Sequence, residues 1–179
     1  MRELIEILTA MAAQKDKVKD RLELLLDMGD RVVKTLTHEF TCRADEVAIL
    51  LLSSDGRHLR FVAPRRFADL GTIPVTKRDS IAVGVLSRKT GEVTNNVPMV
   101  RHVSFFESIK LRDKPAPIQK MVTAPLLVRG QAIGVAQISR KGDTPRDAGP
   151  DFTPADLRRA QEVLDSVAAY LAEARPAGY

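Results

Sequence analysis

The sequence predicts an α+β fold in which helices pack on the faces of one antiparallel sheet. Apolar residues recur with helical spacing at both ends of the chain, and short strand patterns joined by tight turns lie between them. The chain has 179 residues, of which 44% are hydrophobic and 28% charged, and this suits one well-buried domain. Short turns between consecutive strands imply antiparallel pairing, so we expect a sheet with helices on one or both faces.

The first forty residues are predicted to be helical. An apolar residue recurs every seven positions at Leu4, Met11, Val18, Leu25 and Val32. Such a repeat is typical of a helix that packs along another helix. It favours either a helix that joins two copies of the chain or a helix that lies on its own domain. We expect a mixture, in which residues 3–15 reach outward and the part after Asp16 packs on the domain.

Two strands and an edge strand are predicted next. Residues 47–52 form an uninterrupted apolar run, and a turn follows at 54–56. The next strand is expected to place Leu59, Phe61 and Ala63 on one side and His58 and Arg60 on the other. Residues 73–75 contain a proline, which a sheet edge tolerates. They are therefore expected to form a short edge strand.

A short helix and a long irregular segment occupy the middle of the chain. Asp79 or Ser80 is expected to cap the start of the helix, and Gly91 to end it in the left-handed conformation. Residues 93–118 are predicted to be irregular, apart from a short helical stretch near 104–111. Long loops inside a compact domain are usually functional or mobile.

A β-hairpin and a long helix complete the chain. The hairpin turns at Arg129-Gly130 between two apolar strands. The run from Thr153 to Asp156 contains a capping threonine, a proline at the first helical position and an acid three residues after the cap. Arg175-Pro176 is expected to stop this last helix.

Composition argues against several classes of partner. The net charge is +5, but basic residues are spread along the chain, and an aromatic content of 4% without tryptophan gives little surface on which bases could stack. Nucleic acid is therefore not an expected partner. The longest apolar run, residues 47–52, is too short to cross a bilayer. The single cysteine, Cys42, suits a reducing compartment, and the chain is expected to be cytoplasmic.

Three stretches of the chain resemble the GAF domain family of small-molecule sensory modules, which is related to PAS domains. They are SIAVGVLSRKTGEV (80–93), MVTAPLLVRGQAIGVAQISRK (121–141) and FTPADLRRAQEVLDSVAAYLAEA (152–174). Their order and spacing cover nearly the whole chain. The resemblance implies one GAF-like domain over residues 16–174, with a helical extension at 1–15 and a tail at 175–179.

The resemblance also implies an architecture and a function. The expected sheet has five to six antiparallel strands, with the first and last helices on one face and the short helix and long loop enclosing a pocket on the other. Pockets of this family bind cyclic nucleotides, tetrapyrroles, haem, amino acids or other metabolites. The expected function is a non-enzymatic sensory module that signals as a homodimer through its helical bundle to a separate output protein. The alternative is a ligand-free dimeric interaction scaffold in signal transduction or transcription regulation.

Nine residues are candidates for ligand binding, and no cofactor is specified. Free N–H groups at the start of the middle helix, near Lys77-Arg78, suit an anion unless Asp79 already fills that role. Residues 95–106 offer amides, a titratable imidazole and two phenyl rings, which either cover a flat ligand or plug the pocket as core. Polar hairpin residues would form the floor, and the hairpin glycine would allow a close approach. The candidates are Ser80, Ile81, Asn95, Asn96, His102, Phe105, Phe106, Thr123 and Gln137.

Subclasses of the family can be compared at matching positions. Cyclic-nucleotide members often carry Asn-Lys, then Phe, then Asp-Glu, and this chain has Arg140-Lys141, Phe152 and Asp156-Leu157 there, so two of these residues differ. Bilin-binding members attach the pigment through a pocket cysteine, whereas Cys42 falls near the end of the first helical region. The methionine sulfoxide reductases of the family need several pocket cysteines, whereas this chain has one cysteine, Cys42.

The segment HEFTC is the remaining candidate for chemistry. His38 and Cys42 are four positions apart and would share one face of a helix, as a thiol–imidazole pair or half of a metal site. No third or fourth ligand lies nearby in the sequence, so a helix end with a buried thiol is the simpler interpretation. No catalytic residue and no metal site are predicted.

Overall fold

The computed structural model describes residues 1–16, 18, 20–69, 71–99 and 116–179. The regular elements of this part of the chain are α1 (Arg2–Ala12), α2 (Arg21–Phe40), β1 (Val47–Leu52), β2 (His58–Ala63), β3 (Thr72–Pro74), α3 (Ile81–Arg88), β4 (Glu92–Thr94), β5 (Ile118–Val128), β6 (Gln131–Lys141) and α4 (Pro154–Ala174). The predicted α+β class is confirmed.

The six strands form one antiparallel sheet in the order β3-β2-β1-β6-β5-β4. α2 and α4 pack on one face, against alternate residues of β1, β5 and β6 such as Ile49, Val122 and Ile138. α3 covers part of the other face, where Leu50, Leu59, Phe61 and Val135 lie. The two faces therefore carry the predicted arrangement, with the long helices together and the short helix opposite. β3 is the predicted edge strand, and the described residues add a strand that the sequence did not indicate, β4.

The predicted N-terminal helix is two helices. α1 ends at Ala12, and α2 begins after Asp20, whose carboxylate accepts hydrogen bonds from the N–H groups of Leu22 and Glu23. An aspartate that caps free N–H groups starts a helix, so Asp20 separates the two elements. The continuous seven-residue repeat did not reveal this break, because both helices use the same repeat to face the core.

α1 packs on the domain and does not reach outward, so that prediction is wrong. Leu4 and Leu8 are 5% and 0% exposed within the main core. The Thr9 hydroxyl hydrogen-bonds the Tyr170 hydroxyl of α4 at 2.9 Å, and Lys15 pairs with Glu173 at 3.4 Å. α1 lies on the domain because it buries its apolar stripe against α4 of the same chain.

The prediction for Gly91 is wrong, whereas the close approach predicted at the hairpin glycine is present. Lys89, and not Gly91, ends α3 in the left-handed conformation, with φ of 56°. Gly91 is needed for space: a Cβ there would lie 2.6 Å from Leu157 Cδ1. Gly134 of the hairpin allows the predicted close approach, and the approaching group is the neighbouring strand, since a Cβ at Gly134 would lie 2.2 Å from the Leu50 carbonyl oxygen.

The helix and hairpin ends predicted near the C-terminus are confirmed. Thr153 and Asp156 form the full capping box of α4, with Pro154 in its first turn, and Arg175 is its C-terminal cap. Arg129 and Gly130 both have positive φ, at 50° and 74°, as a two-residue hairpin turn requires.

Candidate functional site

A buried polar pair lies on the sheet face that α3 covers. Thr123 of β5 and Gln137 of β6 are directly opposite each other in the antiparallel register. They are 1% and 5% exposed. The Gln137 amide nitrogen donates to Thr123 Oγ1 at 3.3 Å and lies 3.2 Å from Met121 Sδ. A thioether sulfur is a weak hydrogen-bond acceptor, so the Gln137 amide could donate to a stronger acceptor in its place.

The surroundings of this pair are apolar. The same face carries Leu50, Phe61 and Val135, and α3 contributes Ala82, Val83 and Val85 to the same cluster. Pockets for small molecules typically combine such walls with a few well-placed polar groups. Thr123 and Gln137 therefore lie together on this apolar face, and their role as the polar floor of a ligand site remains a prediction.

The start of α3 is capped from within the chain. Ser80 Oγ accepts a hydrogen bond from the Val83 N–H at 3.4 Å, so Ser80 and not Asp79 is the cap. Ile81, partly buried, packs against the α3 cluster. The hydroxyl already uses one of the N–H groups that an anion would need. Anion binding at this end remains a prediction.

Asn95 braces two elements. Its Oδ1 accepts from the Phe152 N–H at 2.9 Å, and its Nδ2 donates to the Phe152 carbonyl at 2.8 Å. Both ends of the amide are thus engaged between β4 and the start of α4. Asn96, next to it, is exposed. A ligand contact at either residue remains a prediction.

Three of the nine candidates lie outside the described residues. They are His102, Phe105 and Phe106. The predicted helical stretch near 104–111 also falls there. Of the predicted irregular segment, the described beginning contains β4 and a 3-10 turn at Val97–Met99.

The positions compared with cyclic-nucleotide members are engaged in separate contacts within the chain. Lys141 Nζ donates to the Asp45 carbonyl at 2.6 Å and pairs with Asp45 Oδ2 at 3.0 Å. Asp156 caps α4 and pairs with Arg159 at 3.2 Å. Burial acts to raise the pKa of Asp156, but its bonds to Thr153 and the charge of Arg159 outweigh this and lower it. Lys141 and Asp156 therefore each have a different partner.

Sequence reasoning missed the carboxylates before β1. Glu46 is 8% exposed, and its two carboxylate oxygens accept from the N–H groups of Lys141 and Arg43, each at 2.8 Å. Together with Asp45 it ties the start of β1 to the end of β6. The acidic pair that precedes the apolar run was the only sequence signal.

Cys42 follows α2 and is not on the helix. Thr41 ends α2 in the left-handed conformation, so the predicted helical face shared by His38 and Cys42 does not form. Burial raises the pKa of the Cys42 thiol to about 11, and the charge of Glu46 adds to the effect. A thiol with so high a pKa is protonated at neutral pH and a poor nucleophile.

The described part of the chain also bears on metal binding and membrane insertion. No group of three or more of its His, Cys, Asp or Glu side chains is arranged to hold a metal ion. No helix there combines the length and apolar character needed to span a bilayer.

Comparison with known proteins identifies the fold family. The sequence model of the GAF domain matches residues 25–171, which is most of the chain. A comparison with curated protein sequences gave no match.

Several solved structures, GAF domains among them, are similar in fold. The GAF domain of an Acinetobacter phosphoenolpyruvate-protein phosphotransferase is 14% identical, with a TM-score of 0.64 over 97% of this chain and 95% of that one. The free methionine-R-sulfoxide reductase of Neisseria meningitidis, in complex with its substrate, is 15% identical, with a TM-score of 0.58 over 97% and 91%. The GAF domain of a two-component sensor histidine kinase from Bacillus halodurans is 16% identical, with a TM-score of 0.54 over 79% and 91%.

Proposed function

Because this chain belongs to the GAF domain family, we propose that it is a non-enzymatic sensory module that binds a small molecule. The binding site is the sheet face covered by α3, with Thr123 and Gln137 as its polar floor. Ser80, Ile81, Asn95, Asn96, His102, Phe105 and Phe106 are the other candidate contacts. The module is a single domain over residues 16–174 in the cytoplasm.

The Thr123–Gln137 pair is the observation that carries this proposal. Placing two polar side chains on an otherwise apolar face costs free energy unless their hydrogen bonds are satisfied. Here the Gln137 amide meets a hydroxyl at 3.3 Å and a sulfur at 3.2 Å, which is incomplete satisfaction. A ligand that offers an oxygen acceptor would complete the hydrogen bonding of the Gln137 amide.

We propose that the signal leaves through the helices to a separate output protein. The similar GAF domain of the sensor histidine kinase supports a role in signalling. The chain would act as a homodimer through the outer faces of its helices. The apolar stripe that predicted this dimer is buried inside the chain, at Leu4, Leu25 and Val32. The proposed dimer would therefore form through the polar outer faces of the helices.

A reductase activity is not part of the proposal. The structural similarity to a methionine sulfoxide reductase, at 15% identity, concerns the fold alone. The one cysteine of the chain, Cys42, is half-buried with a thiol pKa of about 11, which suits a protonated thiol and not a nucleophile. Reduction of free methionine sulfoxide that disappears in Cys42→Ser would contradict the proposal.

Native mass spectrometry of freshly purified protein, compared with the denatured mass, tests the proposal first. A dimer that carries a small, removable mass is expected. Gln137→Met should lose this mass, while the exposed Gln131→Met on the same strand should keep it. A ligand-free dimer would favour the interaction scaffold. A monomer without extra mass would contradict the dimer. It would also contradict small-molecule binding if cyclic nucleotides and amino acids leave the thermal unfolding temperature unchanged.

A further inference from the structure

The C-terminal tail folds back onto the domain. Arg175 Nη1 donates to the Leu52 carbonyl at 2.8 Å, and the Ser54 N–H donates to the Tyr179 carbonyl at 2.6 Å. The Tyr179 N–H in turn bonds the Pro176 carbonyl at 3.2 Å, so the last residues form a turn. The tail predicted at 175–179 is thus attached to the β1–β2 turn.

Tyr179 inserts its ring into the domain. It is 7% exposed and belongs to the main hydrophobic core. The Arg60 guanidinium stacks over the ring, with its Cζ 4.9 Å from the ring centroid. Burial also raises the pKa of the Tyr179 hydroxyl to about 12. The ring is therefore largely enclosed, and residues at the start of α2 and in β2 lie beside it.

The slot continues on both sides of the ring. On one side lies a cavity of about 400 Å³ whose walls include Leu22, Leu26 and Ala68. Leu22 is 42% exposed, and it and Met1 are the exposed large hydrophobic residues of the described chain. Glu23, Arg65 and Asp69 also line this cavity, so the apolar surface that Tyr179 leaves uncovered is a small patch centred on Leu22.

On the other side lies a polar cavity of about 470 Å³. Ser53, His58, Arg60 and Thr72 contribute to its walls. The carboxylate in this wall, Asp55, is already held by the Ser53 hydroxyl at 2.6 Å and the Arg57 N–H at 3.0 Å. Arg60 has no ion-pair partner among the described residues, so this side favours an acidic group.

We propose that this groove is a docking site for an extended segment of a partner protein, and that Tyr179 is its intramolecular occupant. The partner segment would place an aromatic side chain in the Tyr179 slot. A neighbouring apolar residue would contact Leu22 and Leu26, and an acidic residue on the other side would pair with Arg60. Aromatic anchors in closed pockets are the usual source of affinity at such interfaces. This inference does not depend on the small-molecule site.

Displacement of the tail is therefore part of binding. A partner must compete with Tyr179, whose local concentration is high because it is attached to the same chain. The tail would weaken binding in the intact chain, and its removal would strengthen binding.

Fluorescence anisotropy with a labelled peptide, Leu-Ser-Tyr-Glu-Asp, tests the proposal. Tyr179→Ala should bind this peptide about tenfold or more tightly than the unchanged chain, because the slot is open. A control peptide with alanine in place of tyrosine should lose at least about tenfold in affinity. Adding Arg60→Gln to Tyr179→Ala should weaken binding and reduce its dependence on salt.

Three results would overturn the proposal. They are absence of peptide binding to both proteins, equal affinity for the two peptides, and equal affinity of the two proteins. Equal affinity for the two peptides would indicate attraction of any acidic peptide by a basic surface. If Tyr179→Ala unfolds, hydrogen exchange of the unchanged chain tests the proposal instead. An excess of the tyrosine peptide should raise the exchange rate of the Ser54 amide, whereas the alanine peptide should leave that rate unchanged. Tyr179→Phe, which keeps the ring, should still exclude the peptide.

Discussion

The Asn95 side chain holds both main-chain polar groups of Phe152, at 2.8 and 2.9 Å. This paired contact joins β4, at one edge of the sheet, to the residue just before the capping box of α4. The Phe152 ring lies in the core, edge-on to Phe40 and beneath the Arg140 guanidinium. Asn95 therefore fixes the entry of α4 onto the face opposite α3.

Asn95→Ala should destabilise the fold by about 1–3 kcal/mol, because the two main-chain groups of Phe152 would lose their partners in a partly buried place. Urea unfolding measures the change. Asn96→Ala is the matched control: Asn96 is exposed, so the free energy of unfolding should change by less than about 0.5 kcal/mol. Equal effects of the two substitutions would contradict the bracing role.

The Asp45–Lys141 contact predicts a dependence of stability on pH. Burial acts to raise the pKa of Asp45, but the hydrogen bond and charge of Lys141 outweigh it and lower the pKa. A lowered carboxyl pKa contributes stability that is present above the unfolded value, near 4, and is lost as pH falls through the folded value. Asp45→Asn should cost about 1.5–3 kcal/mol at pH 7, since Lys141 is only 6% exposed at its side chain.

Urea unfolding of both proteins from pH 7 to pH 2 checks this prediction. The difference between Asp45→Asn and the unchanged chain should shrink as the pH falls below about 4. The exposed Asp143→Asn provides the control. A difference that is the same at every pH would show that the charge of Asp45 is not what stabilises this contact.

Local signals predicted the elements that the structure confirms. The capping box from Thr153 to Asp156 and the turn at Arg129-Gly130 depend on neighbouring residues, so their chemistry is readable from a short stretch. β4 was missed because three residues, Glu92 to Thr94, carry no periodic pattern. Their strand conformation comes from pairing with β5, which lies far along the chain.

The contacts that join distant elements are long-range and were not predictable in this way. Asp45 and Lys141 are 96 positions apart, and Asn95 and Phe152 are 57 apart. The polar character of Thr123 and Gln137 was evident from the sequence, but their direct opposition depends on the hairpin register. Docking of Tyr179 had no sequence signal, because one aromatic residue after a helix stop is typical of a free tail.

Gly91→Ala tests the close packing between the end of α3 and α4. The added Cβ would lie 2.6 Å from Leu157 Cδ1 and 3.0 Å from the Thr123 carbonyl oxygen. Overpacking of this kind typically costs about 1–3 kcal/mol. Thermal unfolding should therefore shift to lower temperature.

Gly84→Ala is the contrasting variant for this prediction. A Cβ there would meet the flexible end of Arg88 at 3.0 Å, within a helix whose backbone alanine favours. The free energy of unfolding should stay the same or rise by up to about 1 kcal/mol. Similar destabilisation by both substitutions would mean that the limited space at Gly91 is not the cause.

Cys42 should react slowly with iodoacetamide at neutral pH. Its thiol pKa of about 11 leaves little of the reactive thiolate at pH 7, whereas an unfolded cysteine has a pKa near 8.5. A raised thiol pKa contributes stability that is present below the unfolded value and is lost as pH rises through the folded value. The alkylation rate, followed by mass spectrometry from pH 7 to pH 10 with the urea-unfolded chain as reference, should stay at least about tenfold below that reference.

Because Glu46 is the second cause of the shift, Glu46→Gln should raise the folded rate if the variant remains folded. Alkylation at pH 7 as fast as in the unfolded chain would contradict a buried, protonated thiol and reopen Cys42 as a reactive group.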